Sequence, residues 1–367
     1  MAQESLLDLV QQRLDEYCSE QRAKLEEISP EILELVGFAQ DLLTGGKRLR
    51  AQFCYWSWAG YALARISEQQ LESQTRGIIG IAAALEMFHG AALVHDDLLD
   101  QSDTRRGMLA VHRRFEQLHG ENGFAGDPER FGVAGSVLVG DLMLAWSSEL
   151  FGLAVASAVD AERENRCRDE FSQMRFEVMA GQYLDILEEN AAPLRSAQEM
   201  LLRANRVMLY KTAKYSLEAP LLIGAAFGGA NSDELHALSS FGIPLGMAFQ
   251  LRDDLLGVFG DPAVTGKPAG DDLREGKRTV LIGLTLELLQ PSVAKIFGEL
   301  LGQPDLAPEQ LEFLQQAIVD SGARDRAESM IEEYSRQALD TLEGIRMDSH
   351  AKQQLSALAT AAINRKF

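Results

Sequence analysis

The sequence predicts an all-α fold, a bundle in which several long helices are buried. Apolar residues recur at three- and four-residue spacing along nearly the whole chain, and Ala, Leu, Met, Glu and Gln are abundant, as is typical of helices. Alternating β-branched runs joined by hairpin turns, which would indicate strands, are missing from the sequence. Three stretches are apolar on nearly all sides and are therefore expected inside the bundle: 78–100, 133–158 and 235–256.

Three segments interrupt the helical pattern: a polar loop at 119–132, a turn at 190–194, and a segment rich in Gly, Pro, Lys and Asp at 257–279. No Ser-, Gly- or Pro-rich linker divides the chain, so one domain across residues 1–367 is expected. Long loops within compact domains are usually functional or disordered. The last segment is basic within an acidic protein, and this favours a function for it.

Composition argues against several classes of function. The formal net charge is −20, which disfavours nonspecific binding to nucleic acid or to an anionic membrane surface. Three widely spaced cysteines, Cys18, Cys54 and Cys167, favour a reducing compartment and no zinc site. The N-terminus is acidic and amphipathic, unlike a secretory signal. Glu86 and His89 interrupt the longest apolar stretch, which falls short of the ~20 residues of a bilayer span. We expect a cytoplasmic protein without an integral membrane segment.

Two apolar helices are predicted to end in clustered carboxylates. In ALVHDDLLD, Asp96 and Asp100 lie one turn apart on a helix, and Asp97 is rotated by about 100°. In AFQLRDDLLG, Asp253 and Asp254 occupy the matching place. Like charges at such spacing cost about 0.2–0.5 kcal/mol per pair, and burial raises the cost to several kcal/mol per ion. A divalent cation would compensate for this cost.

Oxygen ligands without a His/Cys cluster indicate Mg²⁺ rather than zinc. A single acidic cluster would more simply be a solvated helix end, but two matching clusters on apolar helices make that reading weak. Mg²⁺ retains waters and binds substrate phosphates. The carboxylates therefore predict a phosphorylated substrate that a metal bridges.

Basic residues at separate positions are suited to hold an anion that the metal does not fully neutralise. In TGGKRLR, Lys47 and Arg50 are expected one helical turn apart, after two glycines. The other candidates are Arg105, Arg106, Lys211, Lys267 and Lys277. Each of them alone would more simply be a surface residue, and the GxxxxGK[ST] phosphate loop is absent from the sequence. Their occurrence together with two acidic clusters carries the inference.

From about Thr44 to Thr279 the chain resembles the trans-isoprenyl diphosphate synthases, or polyprenyl synthetases. The resemblance rests on motifs in order: GGKRLR, DDLLD at 96–100 followed by RRG, GD at 140–141, GQYLD at 181–185, KT at 211–212, FQLRDD at 249–254 and GKPAGDDLREGKRT at 266–279. It implies an isoprenoid synthase-type helical bundle with a central active-site cavity, usually a homodimer. In this family two aspartate clusters hold three Mg²⁺ on the allylic diphosphate.

The resemblance also implies roles for individual residues. The metal ligands would be Asp96, Asp100 and Asp253, supported by Asp97 and Asp254. The allylic diphosphate would contact Arg105, Lys211, Gln250 and Lys267. Isopentenyl diphosphate would contact Lys47, Arg50, His89 and Arg106. Thr212 and Gln250 would place dipoles near the developing cation, and Lys277 and Asp272 would belong to a closing loop.

Two histidines and one glycine need separate treatment. A lone histidine in an apolar helix is more often a core residue, but His89 lies two turns before Asp96 and matches the family's isopentenyl-binding position. His95 matches no binding position. Gly257 stands where the second motif, DDxxD, ordinarily has its last aspartate. Activity is expected to survive this change, because the first aspartate of that motif does most of the coordination in the family.

Chain length is predicted from the helix before Asp96, along which the product would extend. Ala91 and Ala92 lie one turn back, where aromatic residues would stop the product at fifteen carbons, and Phe88 forms a floor one turn further. The expected product is geranylgeranyl diphosphate (C20), or a longer polyprenyl diphosphate if Phe88 points away.

Two other readings stay open. A terpene cyclase would need no isopentenyl diphosphate site, although GGKRLR and RRG are present. A noncatalytic subunit of a heteromeric synthase would be expected to have lost aspartates. DDLLD is intact, but Gly257 keeps this alternative alive.

Overall fold

The computed structural model describes residues 5–191, 194–260, 270–303 and 305–364, and most of these residues are helical. The predicted all-α class is confirmed. The chain separates into two compact units, and each is described by itself. The first unit ends at Cys167 and also includes Phe227–Gly229; the second comprises Arg168–Ala226 and the chain from Ala230 onward. That the whole chain forms one domain stays a prediction.

The first unit is built around one long buried helix. Its elements are α1 (Leu6–Ile28), a 3₁₀ turn (Pro30–Ile32), α2 (Leu33–Leu42), α3 (Leu49–Ala62), α4 (Glu68–Leu99), β1 (Thr104–Arg105), β2 (Met108–Leu109), α5 (Val111–Glu121), α6 (Pro128–Val155) and the start of α7 (Ala161–Ala191). Every residue of α4 from Gly77 to Phe88 is buried. At Gly80 an added Cβ would lie 2.7 Å from the Ala154 Cβ, so α4 and α6 pack closely.

The second unit is centred on α10. Its elements are the rest of α7, α8 (Ala197–Val207), a π-helix (Met208–Glu218), α9 (Ala219–Phe227), α10 (Ser232–Phe259), α11 (Asp271–Glu275), α12 (Val280–Leu288), α13 (Pro291–Leu300), α14 (Pro308–Asp320), α15 (Ala323–Gly344) and α16 (Ser349–Ile363). α10 packs against the π-helix and against α15. The stretches 78–100, 133–158 and 235–256 correspond to α4, α6 and α10. The prediction that 133–158 is buried on nearly all sides is wrong, because the most apolar window of α6 is only 44% buried and Leu138 and Leu153 are exposed.

Side-chain caps fix the starts of the two helices that carry the aspartate motifs. At α4, the Ser67 N–H donates to the Gln70 Oε1 at 3.0 Å. At α10, the Glu234 N–H donates to the Asn231 Oδ1 at 3.0 Å, and the Asn231 N–H donates to Glu234 at 2.8 Å. These reciprocal bonds satisfy amide groups that a helix otherwise leaves without partners.

The three predicted interruptions are shorter than expected. The loop at 119–132 contracts to 122–127, because α5 continues through Glu121 and α6 begins at Pro128. Within 257–279, α10 runs to Phe259 and α11 forms a further short helix, whereas 261–269 lie outside the described residues. In the turn at 190–194, helix α7 continues through Ala191, and 192–193 lie outside them too. Near the ends of these helices, exposed polar residues hide the three- and four-residue apolar spacing by which a helix is identified in the sequence.

One hairpin was not expected. β1 and β2 pair antiparallel across Arg106 and Gly107, which both have positive φ angles, 55° and 76°. Two consecutive residues of that kind form the tight turn that two-residue hairpins favour. The RRG triplet is therefore a turn that fixes both arginines directly after the first aspartate motif.

Two helices are long and apolar enough to cross a membrane by length and composition, so the expectation that no stretch reaches this length is wrong. Isolated polar residues such as Glu86 do not offset the surrounding apolar ones. The most apolar window of α4 is 83% buried, as in a core helix, and that of α6 is 44% buried. Such helices are weak evidence for a membrane span, and its absence stays a prediction.

Candidate active site

The first aspartate motif closes α4 as predicted. Asp100 is the C-terminal cap of the helix, and its N–H donates to the Asp96 carbonyl at 2.8 Å, so the two residues lie one turn apart. Asp97 is rotated inward, and its side chain is only 1% exposed. Carboxylates at a helix C-terminus meet the negative end of the helix dipole as well as each other. The arrangement therefore favours a bound cation.

Arg105 provides part of the compensating charge. Its Nε donates to the Asp97 Oδ1 at 2.7 Å, its Nη2 donates to the same oxygen, and Nη2 lies 3.7 Å from the Asp96 Oδ2. Burial lowers the pKa of Arg105, but the hydrogen bond and charge of Asp97 outweigh burial and raise it above its ordinary value. Arg105 is thus a permanently charged guanidinium between two carboxylates.

The GGKRLR segment is irregular, and one prediction about it is wrong. Gly45, Gly46 and Arg48 all have positive φ angles, and α3 begins only at Leu49. Lys47 therefore precedes the helix and is not one helical turn from Arg50. The left-handed conformations of Gly45, Gly46 and Arg48 delay the start of the helix until Leu49 and explain the difference. The Lys47 side chain is exposed, whereas Arg50 is half-buried.

A buried ion pair, not anticipated from the sequence, anchors this segment. The Arg48 Nη1 lies 3.6 Å from the Glu86 Oε2, and each side chain is 5% exposed. The Ala51 N–H in the first turn of α3 donates to the Glu86 Oε1 at 3.2 Å. Arg48 also donates to Gln11 and to the Leu43 carbonyl. The sequence does indicate that Glu86 needs a partner, since it is the one carboxylate in the apolar stretch 78–94.

His89 is held neutral by its surroundings. Burial lowers its pKa well below the ordinary value, and the positive charges of Arg50, Arg106, Arg105 and Arg48 lower it further. These arginines therefore form one cationic cluster with His89 in the first unit. A neutral imidazole beside several guanidinium groups can still donate one hydrogen bond to an anion.

Arg106 joins the same cluster through the hairpin. Its Nη1 donates to the Leu42 carbonyl at 2.8 Å, and a Cβ added at Gly46 would lie 3.2 Å from its Nη2. Burial lowers its pKa, and the Glu86 carboxylate acts in the opposite direction. The predicted isopentenyl diphosphate ligands Arg50, His89 and Arg106 are thus brought together.

His95, to which no role was assigned, packs on the GD motif. A Cβ at Gly140 would stand 2.1 Å from the His95 Nε2, and that nitrogen lies 3.6 Å from the Asp141 Oδ1. The predicted chain-length residues stay on the same helix: Phe88 and Ala91 are buried, and Ala92 is half-buried. Their contact with a product stays a prediction.

In the second unit, Asp253 and Asp254 lie within α10, more than a turn before its end. The Gln250 Nε2 donates to the Asp254 Oδ1 at 2.7 Å. The pKa of Asp254 is raised to about 8: burial raises it most, the Gln250 hydrogen bond lowers it, and the carboxylates of Asp272, Asp253 and Asp185 raise it. This crowd of carboxylates is the environment that a cation would stabilise.

A π-helix carries Lys211 and Thr212. A Cβ at Gly181 would lie 2.5 Å from the Lys211 nitrogen, and one at Gly246 would lie 2.4 Å from the Ala213 Cα. Two glycines on neighbouring helices thus let the wide π-helix pack tightly; single π-turns are frequent at functional sites. The Lys211 Nζ lies 2.6 Å from the Asp185 Oδ2. GQYLD stands out in the sequence, but spacing alone does not show that its Asp185 pairs with Lys211.

The remaining predicted residues belong to the segment after α10. The Lys277 Nζ lies 3.7 Å from the Asp272 Oδ1 and 2.7 Å from the Glu275 Oε2. Lys267 lies outside the described residues. Arg252, inside FQLRDD, forms two 2.7 Å hydrogen bonds with Glu328 and fixes the motif helix on α15.

The donor groups fit Mg²⁺ better than a transition metal. The candidate ligands are carboxylates, which hard cations prefer. Among the described residues, no three His, Cys, Asp or Glu side chains are close enough to form an all-protein metal cage. Mg²⁺ ordinarily completes its shell with waters and substrate phosphates, so this arrangement is the expected one. The three cysteines are buried and form no disulfide.

Comparisons with known proteins show which family and fold the chain is similar to. Residues 34–318 match the family model described as polyprenyl synthetase. A geranylgeranyl diphosphate synthase of Sulfolobus acidocaldarius is 31% identical, over 92% of this chain and 93% of that protein. A geranylfarnesyl diphosphate synthase of Aeropyrum pernix is also 31% identical, over 80% of this chain and 85% of its own length.

Solved structures are similar as well. The crystal structure of a geranylgeranyl pyrophosphate synthase from Corynebacterium glutamicum, complexed with isoprenyl diphosphate and magnesium, superposes with a TM-score of 0.90 and 37% identity. The match covers 98% of this chain and 99% of that one. A geranylgeranyl pyrophosphate synthetase from Pyrococcus horikoshii gives a TM-score of 0.72 at 25% identity, over 96% of this chain and 99% of its own.

Proposed function

Because the chain belongs to the polyprenyl synthetase family and is a prenyltransferase, we propose that it condenses isopentenyl diphosphate with allylic diphosphates and makes geranylgeranyl diphosphate. The observation that carries the proposal is a pairing of a carboxylate with a half-buried cation in each unit: Asp97 of the first aspartate motif with Arg105, and Asp185 of GQYLD with Lys211. Carboxylates for metal and cations for phosphate therefore occur side by side in each unit.

We assign metal binding to Asp96, Asp100 and Asp253, with Asp97 and Asp254 in support. Mg²⁺, three ions by the family pattern, would supply positive charge to the diphosphate as the allylic C–O bond breaks. A bound cation would stabilise the charged form of these carboxylates, because several of them are partly or fully buried and burial raises the pKa of Asp254. The magnesium named with the Corynebacterium structure supports this assignment.

The remaining residues bind and orient the two substrates. Arg105, Lys211, Gln250, Lys267 and Lys277 are proposed for the allylic diphosphate, and Lys47, Arg50, His89 and Arg106 for isopentenyl diphosphate. When the allylic C–O bond breaks, its electron pair leaves with diphosphate. The isopentenyl double bond then forms the new C–C bond, and the proton that is lost goes to the departing diphosphate. Thr212 and Gln250 direct their dipoles at the transient carbocation.

We assign control of chain length to Phe88, Ala91 and Ala92, which precede the first aspartate motif on α4. The relatives named geranylgeranyl diphosphate synthase support C20. The geranylfarnesyl diphosphate synthase of Aeropyrum pernix, equally identical to this chain, favours a longer product as the second candidate.

We also propose that the enzyme is a cytoplasmic homodimer. Each of two helices exposes apolar side chains along one face: Val133, Val137 and Leu138 on α6, and Phe176, Met179 and Tyr183 on α7. Phe176 is 69% exposed, which is high for an aromatic side chain that no other protein chain covers. Sedimentation equilibrium of the wild type and of Phe176→Lys tests the dimer.

The decisive assay incubates purified protein with isopentenyl diphosphate and each allylic primer in turn, with Mg²⁺ or with a chelator. A prenyl diphosphate of twenty carbons, made only with Mg²⁺, is the expected product. Release of diphosphate from the allylic primer alone would indicate a terpene cyclase. No turnover with any primer would indicate a noncatalytic subunit.

A further inference from the structure

The C-terminal end of α2 supplies hydrogen-bond acceptors to two arginines of the cationic cluster. Helix α2 ends at Leu42, and the last carbonyl groups of a helix have no partner within it. The Arg106 Nη1 donates to the Leu42 carbonyl at 2.8 Å and to the Thr44 carbonyl at 3.4 Å. Arg48 donates to the Leu43 carbonyl. The negative end of the α2 dipole therefore orients these guanidinium groups.

Arg114, which lies outside the sequence motifs, fastens this end of α2 to α5. Its Nη2 donates to the Asp41 Oδ2 at 2.7 Å, and its guanidinium carbon lies 3.9 Å from the centre of the Phe38 ring. Phe38 is buried, and its ring meets the Phe115 ring edge-on at 4.8 Å. The Arg114 side chain is 23% exposed. Arg114 thus makes one charged and one aromatic contact with α2.

The helix that carries Arg114 begins directly after the hairpin that carries Arg106. The Ala110 N–H donates to the Asp103 carbonyl at 2.8 Å, and the Arg114 N–H donates to the Ala110 carbonyl at 3.0 Å. The contact of Arg114 with Asp41 therefore holds α5 and the attached hairpin on α2. A shift between α5 and α2 would move Arg106 relative to the carbonyl groups that orient it.

We propose that Arg114 and Asp41 are positioning residues for isopentenyl diphosphate, which hold the end of α2 where its carbonyl groups orient Arg106. The inference rests on the proposed function, because it takes Arg106 as a ligand of isopentenyl diphosphate. Neither positioning residue touches the substrate. They set the direction of Arg106 before the substrate arrives, so the loss of either weakens binding of isopentenyl diphosphate and leaves the chemical step unchanged.

The test removes the contact from either side and then removes the group on which it acts. The variants are Arg114→Met, Asp41→Asn, Arg114→Lys, Arg106→Met and the double variant Arg106→Met/Arg114→Met. Arg166→Met breaks a 2.6 Å ion pair within α7 and is the matched control. Titration calorimetry measures the dissociation constant of isopentenyl diphosphate without an allylic primer, so that no turnover occurs. Both Michaelis constants, kcat and urea unfolding are recorded for every variant.

Arg114→Met and Asp41→Asn should each weaken binding of isopentenyl diphosphate about fivefold, as for the loss of a half-exposed ion pair. The values of kcat and of the Michaelis constant for the allylic substrate should stay within about twofold of the wild type. Arg114→Lys keeps a charged donor for Asp41 and should recover most of the affinity. In the Arg106→Met background, Arg114→Met should add little, because the group that it orients is gone. Arg166→Met should change neither Michaelis constant.

Wild-type affinity for isopentenyl diphosphate in Arg114→Met would overturn the inference. So would losses that multiply in Arg106→Met/Arg114→Met, or an equal rise of both Michaelis constants, which a purely structural role would give. If Arg114→Met fails to fold, Asp41→Asn and Arg114→Lys still decide. Failure of the proposed function looks different, since the wild type itself would then neither bind isopentenyl diphosphate nor turn over.

Discussion

The buried pair of Arg48 and Glu86 permits a quantitative prediction. Glu86→Gln keeps an oxygen that can accept the Ala51 N–H bond but removes the negative charge, and it leaves Arg48 with 5% of its side chain exposed. Arg48→Met removes the other partner. Removing one member of a buried ion pair costs about 3–5 kcal/mol, because the remaining charge stays desolvated.

The structure places the expected cost of Glu86→Gln toward the lower end of that range, at about 3 kcal/mol. The N–O distance is 3.6 Å, longer than a direct hydrogen bond, and Arg48 keeps its bonds to Gln11 and the Leu43 carbonyl. Those carbonyl contacts partly solvate the guanidinium after the carboxylate is gone. Arg48→Met should cost more, since Glu86 then keeps one hydrogen bond, from the Ala51 N–H, and the charge of Arg106 beyond ion-pair distance.

Urea unfolding at fixed pH measures the free energies, and a double variant, Arg48→Met/Glu86→Gln, closes the cycle. The double variant should cost less than the sum of the two single changes by more than 1 kcal/mol, roughly. The Michaelis constant for isopentenyl diphosphate should rise, because Lys47 and Arg50 flank Arg48, while that for the allylic substrate stays near wild type. Additive single costs, or a loss below about 0.5 kcal/mol for Glu86→Gln, would refute the reasoning.

Three further predictions follow from other contacts. Phe88→Ala should lengthen the product beyond C20, as resolved by mass spectrometry of the hydrolysed alcohols; an unchanged distribution would rule Phe88 out as the floor. Asp185→Asn removes the negative charge 2.6 Å from the Lys211 Nζ and should raise the Michaelis constant for the allylic diphosphate about tenfold. Glu177→Gln, which breaks the analogous 2.8 Å pair with Lys214, should leave that constant nearly unchanged, and equal effects would contradict the assignment. Burial and neighbouring arginines lower the pKa of His89, so the unfolded chain binds its proton more readily than the native protein does. Stability should therefore fall as pH drops below about 6.5, and His89→Gln should flatten this loss in urea unfolding between pH 7 and pH 5; parallel profiles would contradict it.

The sequence predicted the helical class and the central helices because apolar periodicity is a local signal. It also placed Asp96 and Asp100 on one helical face, since that relation depends only on spacing. The spacing of Lys47 and Arg50 was misjudged, because Arg48 adopts a left-handed conformation that Glu86 stabilises from a distant position in the chain. Only tertiary contact decides a conformation of that kind.

The same distinction explains the second motif. When α10 is considered alone, Gly257 indicates that the motif lacks its last carboxylate, because sequence spacing compares residues within one helix. Asp272 reaches that place from another helix, and its contact with Gly257 is visible only in three dimensions. Lys211 and Asp185 are a similar case, since the π-helix that carries Lys211 depends on Gly181 and Gly246 in neighbouring helices.

The cations proposed for diphosphate binding are balanced internally by the carboxylates of the metal motifs and their neighbours. Arg105 lies on Asp97, Lys211 on Asp185, and Lys277 near Asp272. A diphosphate that bound alone would have to draw these cations away from carboxylates that are buried or half-buried, and Mg²⁺ alone would have to displace the cations. If Mg²⁺ and diphosphate bound together, the carboxylates would hold the metal and the cations would hold the phosphate oxygens, so neither set of charges would be left unpaired in a poorly solvated place. We therefore expect Mg²⁺ and diphosphate to bind with strong positive coupling, and this coupling would restrict ionisation of the allylic substrate to the fully assembled site.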